Sequence, residues 1–248
     1  MDNIISFQEK GFIQGIPLLS ERQALKLRRH VEETEKQYQA EIEDKNLSHT
    51  PWLSLDHPLQ RIFQSLAKHP VILKQVSQLI GPNILLRNGD IFIKNVGSIL
   101  IIGWHVDTHF SWEQSAGMIN CWIGLNPTSP FHGGLEYIPK SHKHSFKNEP
   151  PNKKRLSLSP EQLEELDLTT AVPNIMPAGH MAFHSFRTVH RSTANESEIR
   201  RIGLVLRFIS AETSPKIAEA GQAFLVQGNP QKWKNRLLPY FPISWSIK

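Results

Sequence analysis

At 248 residues and 39% hydrophobic content, the chain can bury one substantial core, and two small domains are the less economical reading. Its formal charge of +5 is scattered, with Lys153-Lys154-Arg155 the densest run and no basic stripe of interleaved aromatics. That excludes nucleic acid as the expected partner and leaves anionic small molecules open. A single cysteine, Cys121, excludes an internal disulfide and a cysteine-rich zinc site, and no apolar run approaches the ~18–20 residues of a membrane span.

The opening MDNIISFQEKGF has no basic n-region and no long apolar h-region, which gives a cytoplasmic location as the expectation. Ser20-Glu21-Arg22-Gln23 has the form of a capping box and starts a helix through Ala24, Leu25, Leu27 and Val31 that turns polar by Glu41. Further helices are predicted near Pro58–Ala67 and Pro70–Ile80, the second ending at the stop signal Gly81-Pro82. From Asn83 the pattern changes to short apolar or alternating runs at 84–96, 98–107, 117–126, 134–139, 171–176, 180–185 and 199–210. With turn residues between them, these predict the strands of a sandwich or barrel. A polar stretch over 143–160 interrupts them; it reads first as a solvated face and second as the lid or rim of a site. The expected organisation is one domain: a mainly helical part over 1–82, a β core over 83–215 with an insertion at 143–168, and a C-terminal extension over 216–248.

The second run carries the chemistry. GWHVDTHFSWEQ sets His105, Asp107 and His109 at alternate positions. On a strand they share one face, with Val106 and Thr108 opposite. Imidazoles and a carboxylate bind iron, zinc or manganese well. Taken alone, in a chain of 12 histidines, such a pair reads first as ordinary polar residues at a sheet edge. A second stretch shifts that balance. HRSTANESEIRRIGLVLRF opens with His190, 85 positions after His105, and runs into a strand with Arg201. A double-stranded β-helix brings two such strands together. His105, Asp107 and His190 then form a two-histidine, one-carboxylate set that leaves metal positions open, and Arg201 offers a planar fork to a carboxylate.

These stretches resemble the phytanoyl-CoA dioxygenase family of Fe(II)/2-oxoglutarate-dependent oxygenases. The resemblance runs through FQEKGFIQGIPLLSERQALKLRRHVE, LIGPNILLRNGDIFIKNVG with Lys94, WHVDTHF, INCWIGLNPTSPFHGGLEYIPKSHKHS and HRSTANESEIRR. In the last, Asn195 stands at +5 and Arg201 at +11 from the distal histidine. The resemblance implies a mainly β fold with flanking α-helices: a double-stranded β-helix, jelly-roll or cupin-like, with the N-terminal helices packed on its major sheet. It implies Fe(II) held by His105, Asp107 and His190. It implies 2-oxoglutarate bound at its far carboxylate by Arg201, with help from Ser192, Lys94, Thr108 and Trp122, and O2 as the other co-substrate. The implied reaction is oxidative decarboxylation of 2-oxoglutarate to succinate and CO2, coupled to hydroxylation or a related oxidation of a small molecule, anionic or biosynthetic. Asp107 argues against halogenation, because related halogenases carry a small residue there. The chain departs from the family at Val106, where glutamine is common, and at Arg191 and Lys140, where glycine is common. The first two lie close enough to the site to bear on co-substrate contacts and substrate choice.

His109, Phe110 and Trp112 are candidates to line the substrate pocket. Arg207 shares a strand face with Arg201 and is a candidate for an anionic substrate group or for an outward salt bridge. His180 and His184 are four apart, which on a helix suits a metal, but GHMAFHS reads as a strand and both as structural. Trp104 reads as core, and Cys121 as a buried small hydrophobe. A rival reading is a non-oxidative Zn or Mn cupin-like metalloenzyme or metal-binding protein with the same three ligands. Arg201 weighs against it, because such a protein has no need of a guanidinium placed for 2-oxoglutarate. No obligate protein partner is evident.

Overall fold

The capping box read at Ser20 forms: the Gln23 N–H donates to Ser20 Oγ at 3.3 Å and the Ser20 N–H to Gln23 Oε1 at 2.9 Å. In the computed structural model, which describes residues 3–38, 58–107, 117–148, 157–213, 223–232 and 237, this cap opens helix α2 (Glu21–Tyr38). Ahead of it lie α1 (Asn3–Lys10) and β1 (Phe12–Pro17); after it come α3 (Pro58–Ala67) and α4 (Pro70–Ile80), at the predicted bounds. Gly81 ends α4 at φ 90. None of the described helices is long and apolar enough to cross a membrane.

The strands are β2 (Ile84–Lys94), β3 (Ile102–His105), β4 (Met118–Gly124), β5 (Leu135–Tyr137), β6 (Val172–Pro173), β7 (His180–Ser185), β8 (His190–Ser192), β9 (Arg201–Ser210) and β10 (Phe224–Gln227), with a short helix, α5 (Pro160–Glu164), before β6. They form two antiparallel sheets, in the orders β1-β7-β4-β9-β2-β10 and β3-β8-β5-β6. This is the expected mainly β, two-sheet architecture. β1 lies in the part read as mainly helical, and β10 in the part read as a C-terminal extension; both are edge strands of the larger sheet. An edge strand such as FIQGIP, with Gln and Gly inside it, takes its conformation from its partner more than from its own pattern.

Side-chain alternation sorts the larger sheet into two faces. Ile202, Leu204, Leu206 and Phe208 of β9, with Ile119, Cys121 and Ile123 of β4, join one buried cluster with Ala24, Leu27 and Val31 of α2, Ile62, Phe63 and Leu66 of α3, and Ile72 and Val76 of α4. The helices thus cover the outer face. The inner face carries Arg201, Val205 and Arg207 of β9, Trp122 of β4 and His184 of β7, and these line a cavity together with residues of the smaller sheet. The cavity holds about 580 Å³ of empty space, its open mouth included. The fold therefore stores apolar packing on one side of β9 and polar chemistry on the other.

Lys140 takes a left-handed conformation at φ 66, the single non-glycine residue to do so among those described. This is one of the positions where the resembling family has glycine. A Cβ there costs roughly 1 kcal/mol. Lys140→Gly is therefore expected to stabilise the fold by about 1 kcal/mol, read as a higher midpoint in urea. An unchanged or lower midpoint would contradict the strain.

Candidate metal and co-substrate site

His105 is the last residue of β3 and His190 the first of β8, and the two pair directly across the antiparallel ladder. Two strands 85 positions apart in the chain thus become neighbours. Asp107 departs from the expectation of a strand face shared with His105: β3 ends at His105, and Asp107 sits on the bend beyond it. Backbone contacts hold that bend. The Asp107 N–H donates to Phe186 O at 2.9 Å, and Asn148 grips Val106 from both sides, accepting from its N–H at 3.1 Å and donating to its carbonyl at 2.6 Å. His105, Asp107 and His190 each present a ligand atom, all within 4.8 Å of one another.

Both imidazoles are oriented by their own backbone. Nδ1 of His105 lies 2.8 Å from Gly103 O, and Nδ1 of His190 lies 2.9 Å from Thr188 O. A carbonyl accepts only, so Nδ1 carries the proton and Nε2 keeps its lone pair for a metal. Burial, with each imidazole's histidine neighbour adding to it, pulls both down to about 4 against the opposing pull of Asp107, so both are neutral at pH 7. Burial works to raise the Asp107 carboxyl. The facing imidazoles of His190, His184 and His105 outweigh it and hold the group below the usual carboxylate range. Two neutral imidazoles and an anionic carboxylate are the donor set that Fe(II) takes.

The sequence reading passed over two residues that touch this carboxylate. Asn120 Nδ2 donates to Asp107 Oδ2 at 2.5 Å, and His184 Nε2 lies 3.3 Å from the same oxygen. His184 is on a strand, as read, but a purely structural role is corrected: β7 pairs with β4 so that His184 falls opposite Asn120, facing Asp107. The inward face of an alternating strand was readable; the register that aims it at Asp107 was not.

At the other end of the cavity, Lys94 and Arg201 pair directly between β2 and β9. Lys94 Nζ donates to Ser192 Oγ at 2.9 Å and also to Thr193 O. Arg201 donates to Phe92 O at 3.3 Å and to Gly133 O at 2.8 Å, and its Nε is buried without a partner among the described residues. Among the described residues neither cation has an acidic partner. Burial, with Arg201 beside it, lowers Lys94 to about 7, and burial lowers Arg201 to about 10. Two buried cations side by side, with an orphaned guanidinium N–H, fit an anion such as the far carboxylate of 2-oxoglutarate.

Neighbours build this end closely. Trp122 lies over Gly203, where a Cβ would come within 2.5 Å of its ring, and the Arg201 guanidinium carbon sits 5.9 Å from the ring centroid. Gly133, at φ 73, brings its carbonyl to Arg201; a Cβ there would lie 2.7 Å from Lys94 Cδ. Asn195 ties the β8–β9 link to the end of β2 through the carbonyls of Lys94, Asn95 and Ile199, at 3.1, 3.0 and 2.9 Å.

Other expectations resolve as follows. Arg207 makes its ion pair with Asp90 on the inner face, so the outward salt bridge is corrected. Val106 is buried with Trp104, Ile138, Phe146, Leu158 and Val189, and Arg191 pairs with Glu136 while its guanidinium carbon lies 4.6 Å from the Trp104 ring centroid. Neither is among the described residues that line the cavity. Trp104 and Cys121 are buried as expected. Thr108, His109, Phe110 and Trp112 lie outside the described residues, as do 149–156 of the polar insertion.

Known proteins point the same way. A protein described as a probable alpha-ketoglutarate-dependent hypophosphite dioxygenase from Stutzerimonas stutzeri is 28% identical over 155 residues, covering 61% of this chain and 54% of that protein. This chain therefore spans about half the length of the curated relative it matches. Among solved structures, the non-heme monooxygenase ThoJ in its nickel complex superposes with a TM-score of 0.75 at 21% identity, over 100% of this chain and 91% of that one. The non-heme alpha ketoglutarate dependent carbocyclase SnoK from nogalamycin biosynthesis gives 0.64 at 21% identity, over 99% and 94%. These two likenesses concern the fold. The family model for phytanoyl-CoA dioxygenase (PhyH) matches residues 7–203, and so the chain belongs to the phytanoyl-CoA dioxygenase family, whose members work with Fe(II), 2-oxoglutarate and O2.

Proposed function

We propose that this chain is an Fe(II)- and 2-oxoglutarate-dependent dioxygenase that hydroxylates a small molecule. One observation carries the reading: the three metal-competent side chains and the Lys94–Arg201 cation pair line the same cavity. A Zn or Mn enzyme without 2-oxoglutarate has no use for that pair. The bound metal and co-substrates supply the oxidising power: R–H, O2 and 2-oxoglutarate give R–OH, succinate and CO2.

The chain's own residues do the rest. His105 and His190 present Nε2, with Nδ1 tied to backbone carbonyls. Asn120 and His184 hold Oδ2 of Asp107, which leaves Oδ1, 3.7 Å from Nε2 of His105, without a hydrogen-bond partner among the described residues. Arg201 and Lys94 neutralise the far carboxylate of 2-oxoglutarate, Ser192 bonds beside them, and Trp122 walls that end against water. The Stutzerimonas stutzeri relative is described as acting on hypophosphite, a small compound, which supports a small-molecule substrate.

The test is stoichiometry. With Fe(II) and O2, the protein is expected to turn 2-oxoglutarate into an equal amount of succinate, and faster when a substrate is present. Failure to form succinate under any metal loading would sink the reading.

A further inference from the structure

The chemistry proposed above leaves two stretches of the sequence without a role, FQEKGF over 7–12 and PKSH over 139–142. The structure brings both to the turn that precedes His190. Helix α1 ends at Lys10, and the last carbonyls of a helix have no partner within it. Here they are met from outside. The Lys140 N–H donates to Lys10 O at 3.0 Å, and His142 Nε2 lies 3.1 Å from Gln8 O. Gly11 O, just beyond the helix, accepts from Thr188 Oγ1 at 2.7 Å and from the Ser185 N–H at 3.0 Å. Glycine makes this closeness possible: φ is 87, and a Cβ at Gly11 would come within 2.5 Å of His142 Nδ1 and 2.7 Å of Thr188 Oγ1.

The two ligand imidazoles are oriented by carbonyls in different settings. Gly103 O, beside His105 Nδ1, belongs to β3. Thr188 O, beside His190 Nδ1, lies in the turn between β7 and β8, outside any strand. A carbonyl there has no ladder to fix it, and side chains hold it instead. Thr188 C=O and Val189 N–H belong to one planar peptide and point opposite ways. Ser141 Oγ accepts from that N–H at 2.9 Å and donates in turn to Ile138 O at 2.6 Å. Val189 O accepts from the Ile138 N–H at 2.9 Å. Thr188 Oγ1 ties the other end of the plane to Gly11. Ser141, Thr188 and Val189 are each at most 1% exposed, so water does not compete for these bonds.

We infer that Ser141 and Thr188 are positioning residues for the metal site: they set the Thr188–Val189 peptide plane against the end of helix α1, and through it the rotation of the His190 ring. FQEKGF and PKSH thus serve the distal ligand as well as the fold. The inference rests on His190 as a metal ligand in the oxygenase reading, and deepens that reading by naming what aims the ligand. An acceptor on the far nitrogen of a ligand histidine fixes its tautomer and orientation, and disturbing one costs about 10–100-fold in metal affinity.

The experiment reads the metal and not turnover. Co(II), whose visible absorption reports ligand geometry, is titrated into the parent and the variants, and the Fe(II)–2-oxoglutarate band is recorded for each without oxygen. Ser141→Ala and Thr188→Val are expected to weaken Co(II) binding about tenfold or more and to shift both spectra. Should Ser141→Ala not fold, Thr188→Val decides, because Gly11 O keeps its bond from Ser185. Thr188→Ser retains the hydroxyl and is expected to bind and absorb as the parent does. Thr128→Val removes another buried hydroxyl, bonded at 2.9 Å to Asn174 O and outside the cavity lining. It is expected to lower the urea midpoint and leave both spectra alone. Parent-like affinity and spectra in Ser141→Ala and Thr188→Val, at whatever stability, overturn the positioning role and spare the oxygenase. An equal effect from Thr128→Val does the same. A parent that binds Co(II) but shows no 2-oxoglutarate band overturns the oxygenase reading, and the Co(II) titrations still decide the positioning role. A parent that binds no metal overturns both.

Discussion

Replacing His190 by alanine is expected to cost the protein its metal. His190 is buried, its Nδ1 is held by Thr188 O, and its ring lies 4.2 Å from that of His105. Without it, His105 and Asp107 remain as two ligands with no third to close the face. Loss of a partner that merely orients a ligand costs about 10–100-fold in metal affinity, so loss of a ligand should exceed that range. The fold should tolerate the change, because the ring is neutral near pH 7 and Tyr137 still packs from the neighbouring strand. Equilibrium dialysis against Fe(II) or Mn(II) checks it, and affinity within a few-fold of the parent would remove His190 from the ligand set.

Replacing Arg201 by alanine is expected to spare the metal and strike the co-substrate. The side chain is buried, with two N–H groups spent on backbone carbonyls and Nε unpartnered among the described residues. Truncating one member of a buried, hydrogen-bonded charge pair costs 2 kcal/mol or more, so the 2-oxoglutarate requirement should rise about 30-fold or further. Lys94 stays in place and keeps some affinity, and Arg201→Lys should recover part of the loss because it restores charge without the fork. Normal 2-oxoglutarate affinity in Arg201→Ala would refute the assignment.

The residues proposed to carry the chemistry were legible because their types and spacing are local features of the sequence. His105, Asp107, His190 and Arg201 stood out by type and spacing, and the helix bounds at 58–67 and 70–80 followed from caps, stops and periodicity. What escaped depends on register. Asn120 and His184 sit in the runs INCWIG and HMAFHS, whose alternation says which face each residue takes and not which residue it meets. Only the β4–β7 pairing puts them together under Asp107. β1 escaped for a similar reason, since six residues on a sheet edge draw their order from β7. Asp107 itself was assigned a strand position that the chain does not give it, because the bend at 106–107 is held by Asn148 and Phe186, far away in sequence. The Arg207–Asp90 pair turned inward because β9 and β2 present the same face at 207 and 90 as at 201 and 94.

The most direct test of the account needs no substrate. Fe(II) and then 2-oxoglutarate are added without oxygen to the parent protein and to His190→Ala, and the visible spectrum is recorded. The account predicts the weak charge-transfer band of chelated 2-oxoglutarate in the parent and its loss in the variant. A parent protein that shows no band and instead retains tight zinc or manganese would contradict it.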